Sequence, residues 1–247
     1  MDQQQFLFLG MMAFVAFLIG LSKGGFGGAP AALATPLMAL VMPPAQVVGL
    51  LLPVMMFADI FAVALHWRRW DRRLVWLLIP GSIVGVTIGT YFITNVPVDV
   101  FQLALGIIVL IFAAYKIFEK RILSLIQYRP HNWHGIVAGV IAGFSSALAH
   151  NGGPPVSIYL LLQAVTPGVF VATSALFFLI LNWIKVPYYY YAGLFNFELF
   201  WQVAWLMPLV PLGVWVGRRF SERVDRRIFD NIILVLLVLS SLLLIFT

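Results

Sequence analysis

Apolar residues run in long blocks along this chain, at about 6–21, 30–42, 46–66, 73–94, 99–118, 133–149, 154–164, 168–190, 197–217 and 227–246. Blocks such as Ile232–Leu239 show no apolar–polar alternation, so the pattern predicts helices and not barrel strands. A span needs about 20 residues. The blocks 30–42 and 154–164 are too short for that, and each follows a glycine-rich break. Their length suits a re-entrant helix.

Composition names the solvent of these helices. Of 247 residues, 62% are apolar and 10% charged, with mean hydropathy +1.01; an ordinary soluble domain has about 45–50% and about 25%. The excess apolar surface must face lipid. A soluble domain, a disordered chain and a nucleic-acid-binding module are excluded. The chain has no cysteine, which removes disulfides, thiolate metal sites and cysteine nucleophiles. It opens Met-Asp-Gln-Gln-Gln with no basic residue before Phe6, so the first helix is expected to be retained rather than cleaved.

The net charge of +6 is concentrated in three connections. His66–Arg73 carries four arginines. Lys116–His134 carries Lys116, Lys120, Arg121 and Arg129. Gly217–Asp230 carries Arg218, Arg219, Arg223, Arg226 and Arg227. The connections 94–99 and 191–197 have no basic residue.

The two halves repeat. Gly27-Gly28-Ala29-Pro30 aligns with Gly152-Gly153-Pro154-Pro155, Pro44 with Pro167, Asp59 with Asn182, Gly85 and Gly89 with Gly213 and Gly217, and Asp99 falls near Asp225. The shared order points to a duplication, with a first repeat at 1–120, a cytoplasmic linker at 121–134 and a second repeat at 135–247. An even number of spans per half would strand the arginines of Gly217–Asp230 outside. One re-entrant hairpin plus three spans per half inverts the second half and puts all three basic loops inside. The expectation is therefore an all-α polytopic protein of inverted repeats, with both termini external.

Both breaks lie between apolar helices, where open backbone is tolerated only if protein or a water-filled cavity satisfies it. Each ends in a proline suited to a helix start (Pro30; Pro154 and Pro155). A helix N-terminus favours anions, and two such ends from inverted halves are expected to converge near the membrane midplane. Gly24, Gly25, Gly27 and Gly28 of the first break, and Gly152 and Gly153 of the second, become candidate ligands. The bland alternative is that these glycines only let helices pack closely.

Charged and polar residues inside apolar spans are functional candidates by default. Lys23 is a candidate cation for a substrate, or it snorkels to the interface. His150 and Asn151 can donate to an anion or tie down broken backbone; His150 can also relay a proton. Asp59 can pair with Lys23 or carry a proton. Asn182 can donate to a substrate oxygen, or both can serve helix packing. Lys185, one turn beyond Asn182, is a second substrate cation or an interfacial lysine. Gln163 is a weaker candidate. Ser22, Ser145, Ser146 and Thr35 are expected to bond their own helices. Walker and HExxH motifs are absent and Ser145-Ser146 has no GxSxG context, so no enzyme and no cofactor is expected.

The breaks also carry a resemblance. SKGGFGGAPAALATPLMAL (Ser22–Leu40) and AGFSSALAHNGGPPVSIYLLLQ (Ala142–Gln163) resemble the paired motifs of the sulfite exporter TauE/SafE family, also described as sulfonate permeases. The resemblance covers essentially the whole chain. It implies a multi-pass transporter of the bacterial-type inner membrane for sulfite, sulfoacetate or other sulfonates. It transfers no residue-level role. The expected function is thus a secondary transporter, by preference an exporter, of a small sulfur oxyanion. Alternatives are a cation or metal transporter built on Asp59, or a non-transporting membrane protein. The expected partners are the anion and lipid, with a homodimer compatible with the apolar outer faces.

Overall fold

The computed structural model describes residues 3–26, 29–125, 131–220 and 226–246, and no strand occurs among them. The first half holds α1 (Gln3–Leu21), a π-helical turn (Ser22–Phe26), the short α2 (Ala29–Ala32) and α3 (Ala34–Ala39), then α4 (Pro44–Leu65), α5 (Arg72–Asn95) and α6 (Val98–Leu125). The second holds α7 (Asn132–Ala149), α8 (Gly153–Leu162), α9 (Pro167–Tyr191), α10 (Phe197–Val203), α11 (Leu209–Phe220) and α12 (Arg226–Phe246). Among the described residues six helices are long and apolar enough to cross a bilayer, and α10 with α11 makes a bent seventh. The chain is an all-α polytopic membrane protein.

Local chemistry sets the boundaries. Pro44 and Pro167 occupy the first turns of α4 and α9, where a missing N–H costs nothing. Asp71 caps α5, accepting from the amides of Arg73 (2.8 Å) and Leu74 (3.3 Å). Asn196 caps α10 through Leu199 N (2.9 Å). The apolar stretches Pro30–Ala39 and Gly153–Leu162 rise only about 15 Å at 1.5 Å per residue. That is half of a hydrocarbon core of about 30 Å, so neither can span it alone.

Three boundaries differ from the sequence expectation. The block 197–217 is not one helix: it bends by 46° between α10 and α11, because Pro208 has no N–H and its ring obstructs the preceding turn. The span expected at 99–118 continues to Leu125, so Lys116 and Glu119 are helical, not loop, residues. The first break is partly wound. Its π turn extends α1, making a 21-residue span over Gln5–Gly25 before the chain turns at Gly25, whose φ of 146° suits glycine.

Two glycine seams hold the bundle. On α5, Gly81 and Gly85 face α7; a Cβ on Gly85 would lie 2.1 Å from the Val140 carbonyl oxygen, and one on Gly139 of α7 would lie 2.1 Å from that of Leu78. Between α1 and α11 the same contact recurs: a Cβ on Gly20 would meet Val210 O at 2.1 Å, and one on Gly213 would meet Phe17 O at 2.4 Å. Lipid tails give helices no hydrophobic reason to associate, so backbone approach of this kind supplies dispersion contacts instead. The packing has a permutation. Exchanging α1 with α7, α4 with α9, α5 with α11 and α6 with α12 turns the α5–α7 contact into α11–α1, and maps α4–α9 and α6–α12 onto themselves. Outward faces carry large apolar side chains such as Phe6, Trp76, Tyr91, Ile111 and Trp201.

Candidate functional site

The last turn of α7 ends inside the bundle, and its orphan carbonyls need donors. They come from α9. Lys185 donates to Ser146 O (3.3 Å) and Ser146 Oγ (3.1 Å), and the Tyr189 hydroxyl donates to Ala147 O (2.6 Å). His150 ends α7 in the left-handed conformation, φ 50°. Its Nε2 lies 2.9 Å from Val48 O of α4. A carbonyl only accepts, so Nε2 carries the proton and Nδ1 is bare in the neutral ring. Lys185 Nζ, 2.9 Å from Nδ1, donates to it. The three protons of an ammonium are thus matched by three acceptors, and the cation sits at the negative end of α7. Lys185 is wholly buried; it neither snorkels nor reaches the cavity described below.

A second polar group joins the first break to both long central helices. Lys23 Nζ lies 2.6 Å from Asp59 Oδ1 on α4. Asn182 Nδ2 on α9 donates to Asp59 Oδ2 at 2.6 Å. Asp59 is fully buried, whereas Lys23 keeps 17% exposure and lies 5.3 Å from the Phe178 ring centroid. The exposed part of Lys23 faces a cavity of about 110 Å³. Water needs about 10–15 Å³ of such space, so the volume suits a small hydrated ion or a compact oxyanion.

The cavity draws walls from both halves. Ser22, Lys23, Met55 and Ala31 come from the first; Ser146, His150, Asn151, Gly153, Ser157, Phe178 and Asn182 come from the second. Phe112, Tyr115, Lys116 and Glu119 of α6 close the remaining side. Glu119 is already held there: Tyr115 donates to Oε1 and Lys116 to Oε2, each at 2.9 Å. Both carboxylates at the site therefore have cationic partners. Asn151 is 5% exposed, and its Nδ2 has no partner among the described residues. Among those residues no group of three or more His, Asp and Glu is placed to hold a metal.

The sequence candidates thus separate. Lys23, His150, Asn151, Gly153 and Asn182 border one cavity, with Asp59 directly behind Lys23. Lys185 stands behind His150 and Ser146. Gly24 packs into the α11 seam, where a Cβ would lie 2.3 Å from Val214 O. Gly25 supplies the turn, and Gly152 packs against Ala142. Gly27 and Gly28 lie outside the described residues. Pro154 and Pro155 have no amide N–H, so only the Gly152 and Gly153 amides precede the first intrahelical bond of α8. Sequence reasoning missed the α6 wall, although Tyr115 and Glu119 at i and i+4 were a signal that they share a helix face.

Comparison with curated proteins and with solved structures gives no match. The family model for the sulfite exporter TauE/SafE matches residues 12–244. That match takes in both breaks and every residue of the cavity just described, and on it the chain belongs to the sulfite exporter TauE/SafE family, a family of membrane transporters.

Proposed function

We propose that this chain is a secondary transporter that exports sulfite or a small organosulfonate, binding it in the cavity between the two breaks. The observation that carries the reading is a cation at the wall of a polar cavity inside an otherwise apolar bundle: Lys23, half-buried, with Asn151, Asn182, Ser157 and the first amides of α8 around it. An oxyanion loses its hydration there and gains charge-assisted hydrogen bonds, the strong class. Asp59 holds Lys23 in the empty site. When an anion arrives, Lys23 turns to it, and Asp59, still bonded by Asn182, serves as the proton carrier. Anion and proton movement are then coupled through one lysine.

The same reading makes the two halves inverted repeats that rock around the cavity in alternating access. Its support is the charge distribution of the loops, the helix permutation and the meeting of Asp59 with its equivalent Asn182. The basic loops are cytoplasmic and both termini external. A negative-inside potential then drives anion export by about 2.3 kcal/mol per charge per 100 mV. A thermal-shift series on purified protein tests the reading, because a ligand of the native state raises Tm with concentration. Sulfite and sulfoacetate raise it; acetate and sodium or magnesium chloride do not. Stabilisation by a divalent cation alone, or by no anion, sinks the proposal.

A further inference from the structure

The wall that α6 gives the polar cavity is a single helical stripe. Phe112, Tyr115, Lys116 and Glu119 stand at i, i+3, i+4 and i+7, and all four border the cavity. Ile111, Ile117 and Phe118 point away from it and are more than half exposed. Glu119 is the last residue of the apolar span Val98–Glu119. At such a place a lysine can snorkel to the headgroups. Lys116 instead turns inward, to Glu119.

Two lysine–carboxylate pairs therefore face one space, and they are built differently. Lys23 and Asp59 join two elements, and their side chains are 17% and 0% exposed. Lys116 and Glu119 lie on one helix, 2.9 Å apart, with side chains 28% and 22% exposed. The α6 pair is thus the outer one and the Asp59 pair the inner one. A pair at i and i+3 stabilises its helix only slightly. Glu119 has a further donor, because the Tyr115 hydroxyl reaches its other oxygen at 2.9 Å. Lys116 can leave Glu119 at little cost, and the carboxylate it leaves keeps a partner. That carboxylate then stands beside any anion on Lys116 and shortens its stay.

We infer that Lys116 is a transfer site at the α6 end of the cavity. It takes the anion arriving from that side and passes it to Lys23, and Glu119, positioned by Tyr115, then reclaims it. The inference rests on the transporter reading above and adds the route by which its site is reached.

The test measures sulfite uptake into vesicles reconstituted with the end of α6 outward, and it uses the absence of native cysteine. Lys116→Cys raises the half-saturating sulfite concentration about fivefold, the scale of a partly exposed ion pair, while the melting curve stays native. Aminoethyl methanethiosulfonate couples an ammonium to the new thiol and restores the native value. Methyl methanethiosulfonate couples only a methylthio group and does not. Glu119→Gln lowers the half-saturating concentration and slows the maximal rate, because Lys116 then holds the anion and nothing reclaims it. Loss of a helix-stabilising pair alone would move both variants in the same direction, and that result overturns the inference. An unchanged half-saturating concentration in Lys116→Cys overturns it too, as does equal rescue by the two reagents. These outcomes leave the transporter reading standing; no sulfite uptake by the native chain removes that reading and the inference together.

Discussion

Asn182 donates a 2.6 Å hydrogen bond to Asp59, and these two residues occupy the same position in the internal alignment of the halves. Residues related by a twofold axis touch only if they lie close to it. The contact therefore sits where a pseudo-twofold would pass, and the α4–α9 packing that carries it maps onto itself under exchange of the halves. Lys23 then breaks the symmetry. By the offset of the breaks its counterpart is Leu148; on that side the lysine comes from α9 instead, Lys185 reaching Ser146.

The Lys23–Asp59 pair predicts non-additive mutations. Asp59→Ala leaves Lys23 without its partner and costs about 2–3 kcal/mol, short of the full penalty for a dry pair because Lys23 touches the cavity. Lys23→Met with Asp59→Leu recovers most of that loss while abolishing anion binding. Additive melting temperatures in the double-mutant cycle would show that the pair is not energetically coupled.

Lys185 predicts a structural phenotype. Lys185→Met keeps the bulk but removes donors from Ser146 O and from His150 Nδ1. Ser146 O keeps the His150 amide (3.0 Å), so the acceptor left buried and unpaired is His150 Nδ1, and a loss of about 1–3 kcal/mol follows. Nitrogen-15 NMR of the native protein should find Nε2 of His150 protonated and Nδ1 bare. A proton on Nδ1 contradicts the bonding pattern.

The glycine seams can be probed against internal controls. Gly85→Ala and Gly20→Ala drive a methyl into the facing backbone, and the helices must separate. Each lowers Tm by several degrees. Gly10→Ala meets nothing within 4 Å and leaves Tm unchanged or raises it by helix propensity. Equal effects at Gly10 and Gly85 contradict close packing as the source of stability.

Much of this was legible in the chain itself because lipid leaves few options. A polar residue within an apolar block is conspicuous, and that alone exposed Lys23, Asp59, Asn151 and Asn182. The breaks were visible from glycine and proline. What stayed hidden depends on docking between helices. No local signal says that Lys185 caps the end of α7, since its partners lie 39 and 35 residues away. The bend before α11 hid inside a continuous apolar block, because Pro208 does not lower hydropathy enough to divide it. Lys116 and Glu119 read as loop charges until α6 was seen to run past them.

Topology has a clean assay, since the native chain has no cysteine. Single cysteines at Asn95 and Asn196 label from the same, external side, and one at Arg69 labels from the other. Labelling of Asn95 and Asn196 from opposite sides contradicts inverted repeats.

The most direct measurement of the central claim is sulfite and sulfonate efflux from vesicles holding the purified protein, under an inside-negative potential. The account predicts protein-dependent efflux that grows with the potential and falls at least tenfold in Lys23→Met, with the variant still folded by its melting curve. Efflux at the native rate in folded Lys23→Met would contradict it.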